Sequence, residues 1–302
     1  MIKIAPLTDL AGLRECERLQ GEIWGFSEQA IVPDHLLLTA IRSGGCLLGA
    51  YDDGKLIGFA FSLVGLERGR LKHASLMTGV LPQARYRGVG YQLKLAQRAF
   101  ALDQGIELIT WTFDPLQSAN AHFNFKKLGV IACRYEQDYY GDMRDQLNAG
   151  LPSDRFSVEW WLRSPRVEAK LKGSYRLPTV EGLLARGAEP VNQTQSHPPP
   201  TSTLSLPSPL EGEGDRWPVN LEYHLDLEGA ELLVEIPTDT PTMRAENPGL
   251  AQRWRAETRE IFEHYLARDY LISEFIGQEE GGRRRGFYLL ERTAREEVLN
   301  RG

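Results

Sequence analysis

Residues 78–95 read TGVLPQARYRGVGYQLKL, and this segment constrains the chain more than any other. An extended, apolar stretch over 72–81 meets Pro82 and then the turn Arg85-x-x-Gly88-x-Gly90. A helical pattern follows over 91–102, with Leu93, Ala96, Ala99 and Phe100 on one face. Glycines in such a turn let the backbone approach a ligand closely. Consecutive N–H groups at the positive end of the helix then make a seat for phosphate, and Arg85 or Arg87 adds charge-assisted contacts. A tight helix-entry turn with no ligand has the same pattern, so the segment alone leaves both readings open.

The elements around it alternate. Residues 2–4 begin a strand, Thr8 is a candidate N-cap, and Leu10, Leu13, Cys16 and Leu19 follow at helical spacing. A second helix enters at Pro33 and stops at Gly44-Gly45. Asp52-Asp53-Gly54 reverses a hairpin between 46–51 and 55–64. Beyond the glycine turn, 106–113 is a strand, 118–128 a helix, and 130–140 and 156–162 two more strands. The order is β-α-α-β-β-β-α-β-α-β-β, an α/β (α+β) chain with a mixed sheet flanked by helices.

Composition sets the boundaries. Residues 188–218 hold seven of the 17 prolines and little that could form a core, which marks a flexible linker or insertion. The expected division is a first domain over 1–163, a connecting segment over 164–187, the Pro/Ser-rich stretch over 188–218, and a small α+β domain over 219–302. In that last part, 221–227 and 231–236 read as a hairpin turning at Glu228-Gly229, followed by a helix over 248–268. A second hairpin, 270–276 with 286–290, encloses the charged loop GQEEGGRRR. The apolar stripe of the 248–268 helix either covers the core or forms a homodimer seam.

Residues 1–163 carry 18 Lys+Arg against 18 Asp+Glu, so the whole net charge of -6 falls on the remainder. Neither part offers the basic face that nucleic acid needs. No run approaches the roughly 20 apolar residues of a membrane span, and residues 1–19 turn charged too early for a signal peptide. A cytoplasmic protein is expected. Cys16, Cys46 and Cys133 are too scattered for a zinc or redox pair, and no metal is anticipated.

With its Arg85-x-x-Gly88-x-Gly90 turn, the chain resembles the GNAT N-acyltransferase superfamily over residues 1–163. A second likeness is SANAHFNFKKLGV at 118–130, similar to the family's fourth helix and its Lys-Leu-Gly turn. The resemblance implies acetyl-CoA or another acyl-CoA as co-substrate. Strand 72–81 would splay from strand 106–113, and the pantetheine arm would pair with the backbone of Thr78, Gly79 and Val80. The N–H groups of Tyr86, Arg87, Gly88, Val89 and Gly90 would take the pyrophosphate. Asn120 is a candidate contact for the pantetheine or adenine side, or simply a polar residue in a first helical turn.

Two departures matter. Here Val80-Leu-Pro82-Gln-Ala-Arg-Tyr-Arg87-Gly has two residues more than the family's pattern, which leaves open whether Arg85 or Arg87 meets phosphate. Where many members carry a tyrosine that protonates the leaving thiolate, this chain has Phe125. That role would fall to another residue, to water, or to no group at all.

An amine attacking a thioester also needs a proton acceptor. Simple alternation puts His73, Ser75, Met77 and Gly79 on one strand face, making His73 a candidate; a packed, locally bonded histidine is the alternative. His122 is a second. Asp114 ends strand 106–113 where an acceptor would enter, although Asp114-Pro115 also suits an ordinary turn. Backbone N–H near Gly79 or Val80 would meet the oxyanion.

The acceptor implied is a small-molecule amine or an amino acid, with an acetyl or succinyl donor. Lys72, Arg70 or Arg134 could pair a substrate carboxylate or be ordinary surface charges. A non-catalytic acyl-CoA-binding or protein-interaction module, and a protein or peptide N-acetyltransferase, are the alternatives.

Overall fold

The structure, a computed structural model, describes residues 1–85, 87–141, 150–195 and 217–302. Two compact units divide the chain. Of the described residues, the first comprises those of Met1–Trp111 and Glu159–Arg163, and the second those of 112–141, Gly150–Val158, 164–195 and 217–302. This division differs from a boundary at 163, because the chain leaves the first unit within a strand and returns to it within another.

In the first unit, β1 (Lys3–Pro6), β2 (Cys46–Asp52), β3 (Lys55–Glu67), β4 (Arg70–Val80) and β5 (Leu108–Phe113, crossing units after Trp111) lie in sequence order. β1 to β4 are antiparallel, and β4 pairs with β5 in parallel. Two-residue turns drive the hairpins: Asp53 and Gly54 have φ of 46° and 78°, Arg68 and Gly69 49° and 77°. Positive φ at both central residues suits the right-handed twist of the flanking strands. Helices α1 (Leu10–Trp24) and α2 (Asp34–Arg42) cover one face, burying Leu13, Leu19 and Leu37 against Leu47, Phe59 and Phe61. Helix α3 (Val89–Asp103) covers the other with Val89 and Leu93. The α1 cap is Asp9, which accepts the Gly12 N–H at 2.9 Å, rather than Thr8.

The second unit begins with α4 (Ser118–Ala121), which widens into a π-helical stretch, His122–Leu128, and ends at Gly129 with φ of 80°. Its strands are β6 (Ile131–Glu136), β7 (Arg155–Trp161, crossing units after Val158), β8 (Glu189–Pro190), β9 (Asn192–Gln195), β10 (Val219–Tyr223), β11 (Glu231–Ile236), β12 (Tyr270–Glu280) and β13 (Arg283–Arg292). The sheet order is β7-β6-β12-β13-β11-β8, and β9 with β10 forms a separate ribbon. Helices α5 (Pro165–Lys172), α6 (Val180–Ala185), α7 (Thr240–Glu246), α8 (Pro248–Leu266) and α9 (Arg295–Leu299) complete it. Phe113, Phe125, Phe156, Phe262 and Tyr288 pack edge to face at 4.8–6.1 Å in its core.

Residues 164–187 hold α5 and α6, and 188–195, within the Pro/Ser-rich stretch, supply β8 and β9; residues 196–216 of that stretch lie outside the described residues. Two expectations are corrected. The hairpin 221–227/231–236 does not form. β11 buries five consecutive residues and takes β13 and β8 as neighbours, whereas half-exposed β10 pairs with β9. A continuous buried run needs cover on both faces of its sheet. Finally, GQEEGGRRR is no open loop: β12 and β13 run on to a turn at Gly281-Gly282, with Glu280 facing Arg283 and Glu279 facing Arg284. Opposite charges across an antiparallel pair extend the hairpin.

Candidate active site

The site is built where β4 and β5 part. Their register pairs His73 with Ile109 and Ala74 with Thr110, and goes no further. Just beyond, Met77 faces Phe61 but Ser75 faces Ser62, so Leu76 is an extra residue, a bulge in β4. A bulge bends its strand and breaks regular pairing, which explains why β4 leaves β5 here while staying on β3 through Val80.

The free edge of β4 follows from alternation. Leu81 N–H donates to Ile57 C=O on β3 at 2.9 Å. In an antiparallel pair, successive residues turn their N–H and C=O to opposite sides, so Gly79 faces β3 whereas Thr78 and Val80 offer both groups away from it. Thr78 and Val80 thus have the edge expected for an added strand. Gly79 is spent on β3, and its missing side chain has another use: a Cβ there would lie 2.6 Å from the Trp24 ring of α1.

Val80 leads through a short helical turn, Pro82–Ala84, into the glycine turn. Gly88 is the α3 N-cap, with φ of 75°, and no side chain caps that helix end. Space around Gly88 and Gly90 is open, with no atom within 4 Å of a Cβ at either. The unspent N–H groups of the first turn, with the helix dipole behind them, fit an anion. Val89 supplies backbone to this turn while its side chain is buried under α3. Arg87 is tied to Asp52 at 2.7 Å, and Arg85 Nε donates back to Val80 C=O at 3.4 Å. Tyr86 lies outside the described residues.

Behind the parting point is a buried polar cluster that the sequence reading passed over. Lys94 Nζ donates to Ser75 Oγ at 2.9 Å and Gln97 Oε1 at 3.0 Å, and lies 3.8 Å from the centre of the Trp111 ring. Burial pushes this ammonium down to about 7 against an opposing pull from Cys46. The Cys46 thiol is pushed up to about 12, by burial above all. Gln97 Nε2 and Thr78 Oγ1 are buried without a hydrogen-bond partner. The signal was there: Val89, Leu93, Gln97 and Ala101 form one inward stripe at four-residue spacing, and Lys94 borders it.

The proposed proton acceptors fare differently. His73 is wholly buried, its Nδ1 bonded to Ser62 Oγ at 2.9 Å and its Nε2 to Gln104 Oε1 at 2.7 Å. Burial holds its imidazole below the ordinary value. It faces α3, with both ring nitrogens engaged. The Leu76 bulge also splits the expected face: His73 and Ser75 turn to α3, Met77 and Gly79 to α1. In the second unit, Asp114 Oδ1 accepts from the buried Arg255 Nη2 at 2.6 Å and from Leu116 N–H at 2.9 Å, as an aspartate in a turn does. Half-buried His122 is held below the ordinary value by burial and then by Lys126 and Lys127. Asn120 is exposed, and Phe125 is buried against Phe113 and Tyr288.

Among the described residues, no group of three His, Cys, Asp or Glu side chains could hold a metal, and no helix is long and apolar enough to cross a membrane. No curated protein matches the chain. Solved structures similar to it include the ribosomal-protein-S18-alanine N-acetyltransferase of Escherichia coli, at 16% identity over 53% of this chain and 92% of that one, TM-score 0.42. The paiA N-acetyltransferase of Thermoplasma acidophilum, in complex with coenzyme A, is 21% identical over 53% of this chain and 98% of that one, TM-score 0.39. An aminoglycoside acetyltransferase, meta-AAC0020, from an uncultured soil metagenomic sample is 19% identical over 41% and 84%, TM-score 0.37. Residues 13–130 match the model of the acetyltransferase (GNAT) family, and through them this chain carries a GNAT acetyltransferase domain.

Proposed function

We propose that this protein is a coenzyme A-dependent N-acyltransferase that acylates the amine of a small molecule, an amino acid among the candidates. The observation that carries this reading is the free β4 edge at Thr78 and Val80, which runs into the uncapped, glycine-opened N-terminus of α3. An extended amide-bearing arm such as pantetheine can add to that edge as a strand would. A pyrophosphate suits the N–H groups after Gly88, with Arg85 beside them.

The acyl thioester would then lie toward the closed end of the gap, where an amine can attack it directly. The engagement of Asp114 with Arg255 and the burial of His73 favour proton loss from the amine to water over loss to either side chain.

The test is release of free thiol from acetyl-CoA and succinyl-CoA with a panel of amino acids, polyamines, aminoglycosides and short peptides. Thiol release that requires a small amine is the expected result. Tight coenzyme A binding with no amine-dependent release would leave a non-catalytic binding module, and activity confined to peptides would make the protein a peptide N-acetyltransferase.

A further inference from the structure

We propose that Lys94 is the proton donor to the departing coenzyme A thiolate, the role for which this chain has no tyrosine at position 125. The inference rests on the acyltransferase reading. Its own evidence is the position and partners of Lys94.

The last paired residues of β4 and β5 are Ala74 and Thr110. The next residues, Ser75 and Trp111, are the ones Lys94 joins: Nζ bonds Ser75 Oγ at 2.9 Å and lies 3.8 Å from the Trp111 ring centre. The ammonium therefore spans the two strands at the closed end of their gap. From Val80 back to Ser75 is five residues, about 16 Å at roughly 3.3 Å each, a length suited to an arm whose phosphate end rests at Gly88. The thioester sulfur would come to rest at this closed end, beside Lys94.

The chemistry of the cluster agrees. Among the described residues, the hydrogen-bond partners of Nζ are the neutral Ser75 and Gln97 side chains, with no carboxylate. An uncompensated buried cation is costly, but it is well placed where negative charge develops during reaction. The titratable group facing it from β2 is the Cys46 thiol, which burial keeps protonated. Burial also leaves Lys94 able to release its proton near neutrality, as an efficient general acid requires.

The step balances. The amine nitrogen attacks the thioester carbonyl carbon, forming the C–N bond and moving the carbonyl pair onto oxygen. Return of that pair breaks the C–S bond, and the sulfur takes a proton from Lys94 Nζ to leave as the free thiol. The nitrogen loses its extra proton to water, and neutral Lys94 is reprotonated from solvent.

The experiment uses Lys94→Met and Lys94→Arg with two donors, acetyl-CoA and an aryl thioester of acetic acid whose thiol is acidic enough to leave unprotonated. Arginine keeps the charge and the hydrogen bonding but does not release its proton. Both variants should retain acetyl-CoA binding within a few fold and lose about 100-fold or more in kcat with acetyl-CoA. With the aryl thioester they should lose less than about threefold. Equal losses with both donors, or a Lys94→Arg enzyme with wild-type kcat, would overturn the assignment and leave Lys94 as a structural tie. A wild-type protein that binds acetyl-CoA yet acylates no amine would instead overturn the acyltransferase reading, and this inference with it.

Discussion

Trp24 lies so close to Gly79 that a Cβ built on the glycine would stand 2.6 Å from the indole ring. The tryptophan also stacks edge to face on Phe59 at 5.7 Å, so it has little freedom to withdraw. Gly79→Ala must therefore shift α1 or push β4 outward. The expected cost is about 1–3 kcal/mol, read from urea unfolding, with a weaker apparent affinity for acetyl-CoA because the neighbouring edge residues move. Unchanged stability would show that Trp24 yields freely.

The two arginines of the turn should separate. Arg87 already serves Asp52 at 2.7 Å, whereas Arg85 donates to the Val80 carbonyl at 3.4 Å. Arg85→Ala should raise the KM for acetyl-CoA about tenfold or more, the worth of a charge-assisted hydrogen bond, and should reduce its salt dependence. Arg87→Ala should do less. Asp52→Asn, which frees Arg87, should lower the KM. Initial-rate kinetics at two salt concentrations check all three.

Lys94 predicts how stability varies with pH. Its folded value, about 7, lies below its ordinary 10.5. Between those values the unfolded chain holds a proton that the folded chain lacks, so stability rises with pH there and falls as pH drops toward 7. Cys46, raised from 9.0 to about 12, acts oppositely above pH 9, which leaves pH 7–9 as the clean window. Across it, wild type should gain up to about 1.4 kcal/mol per pH unit relative to Lys94→Met. Urea titrations at pH 7, 8 and 9 measure the difference, and parallel curves would contradict it.

In the second unit, Glu274 is buried between Arg166 and Lys170, at 2.8 Å from each. Glu274→Gln strands two buried cations, at a cost of about 3–5 kcal/mol. Thermal unfolding of the variant, expected to be much lower than wild type, checks this.

Much of the first unit was legible because its hairpins turn on Asp53-Gly54 and its helices start and stop at Pro33, Gly44 and Gly88. The site's decisive feature was not. Leu76 looks like any apolar strand residue, yet as a bulge it reverses the faces of everything after it, moving Met77 and Gly79 away from His73 and Ser75. Lys94 escaped notice because a lysine beside an inward stripe ordinarily belongs to the solvated face, and only its contacts with Ser75 and Trp111 mark it as buried. In the tail, Glu279 and Glu280 opposite Arg284 and Arg283 read as a loop, since charge suggests exposure while the pairing that orders it spans two strands.

In the proposed mode of binding, the β4 edge receives the acyl-CoA arm. Amide hydrogen exchange, resolved to single residues with and without acetyl-CoA, tests it most directly. Thr78 and Val80 amides should become strongly protected, together with those of Gly88 to Tyr91, while Gly79, already bonded to β3, changes little. Acetyl-CoA that binds without protecting Thr78 and Val80 would contradict it.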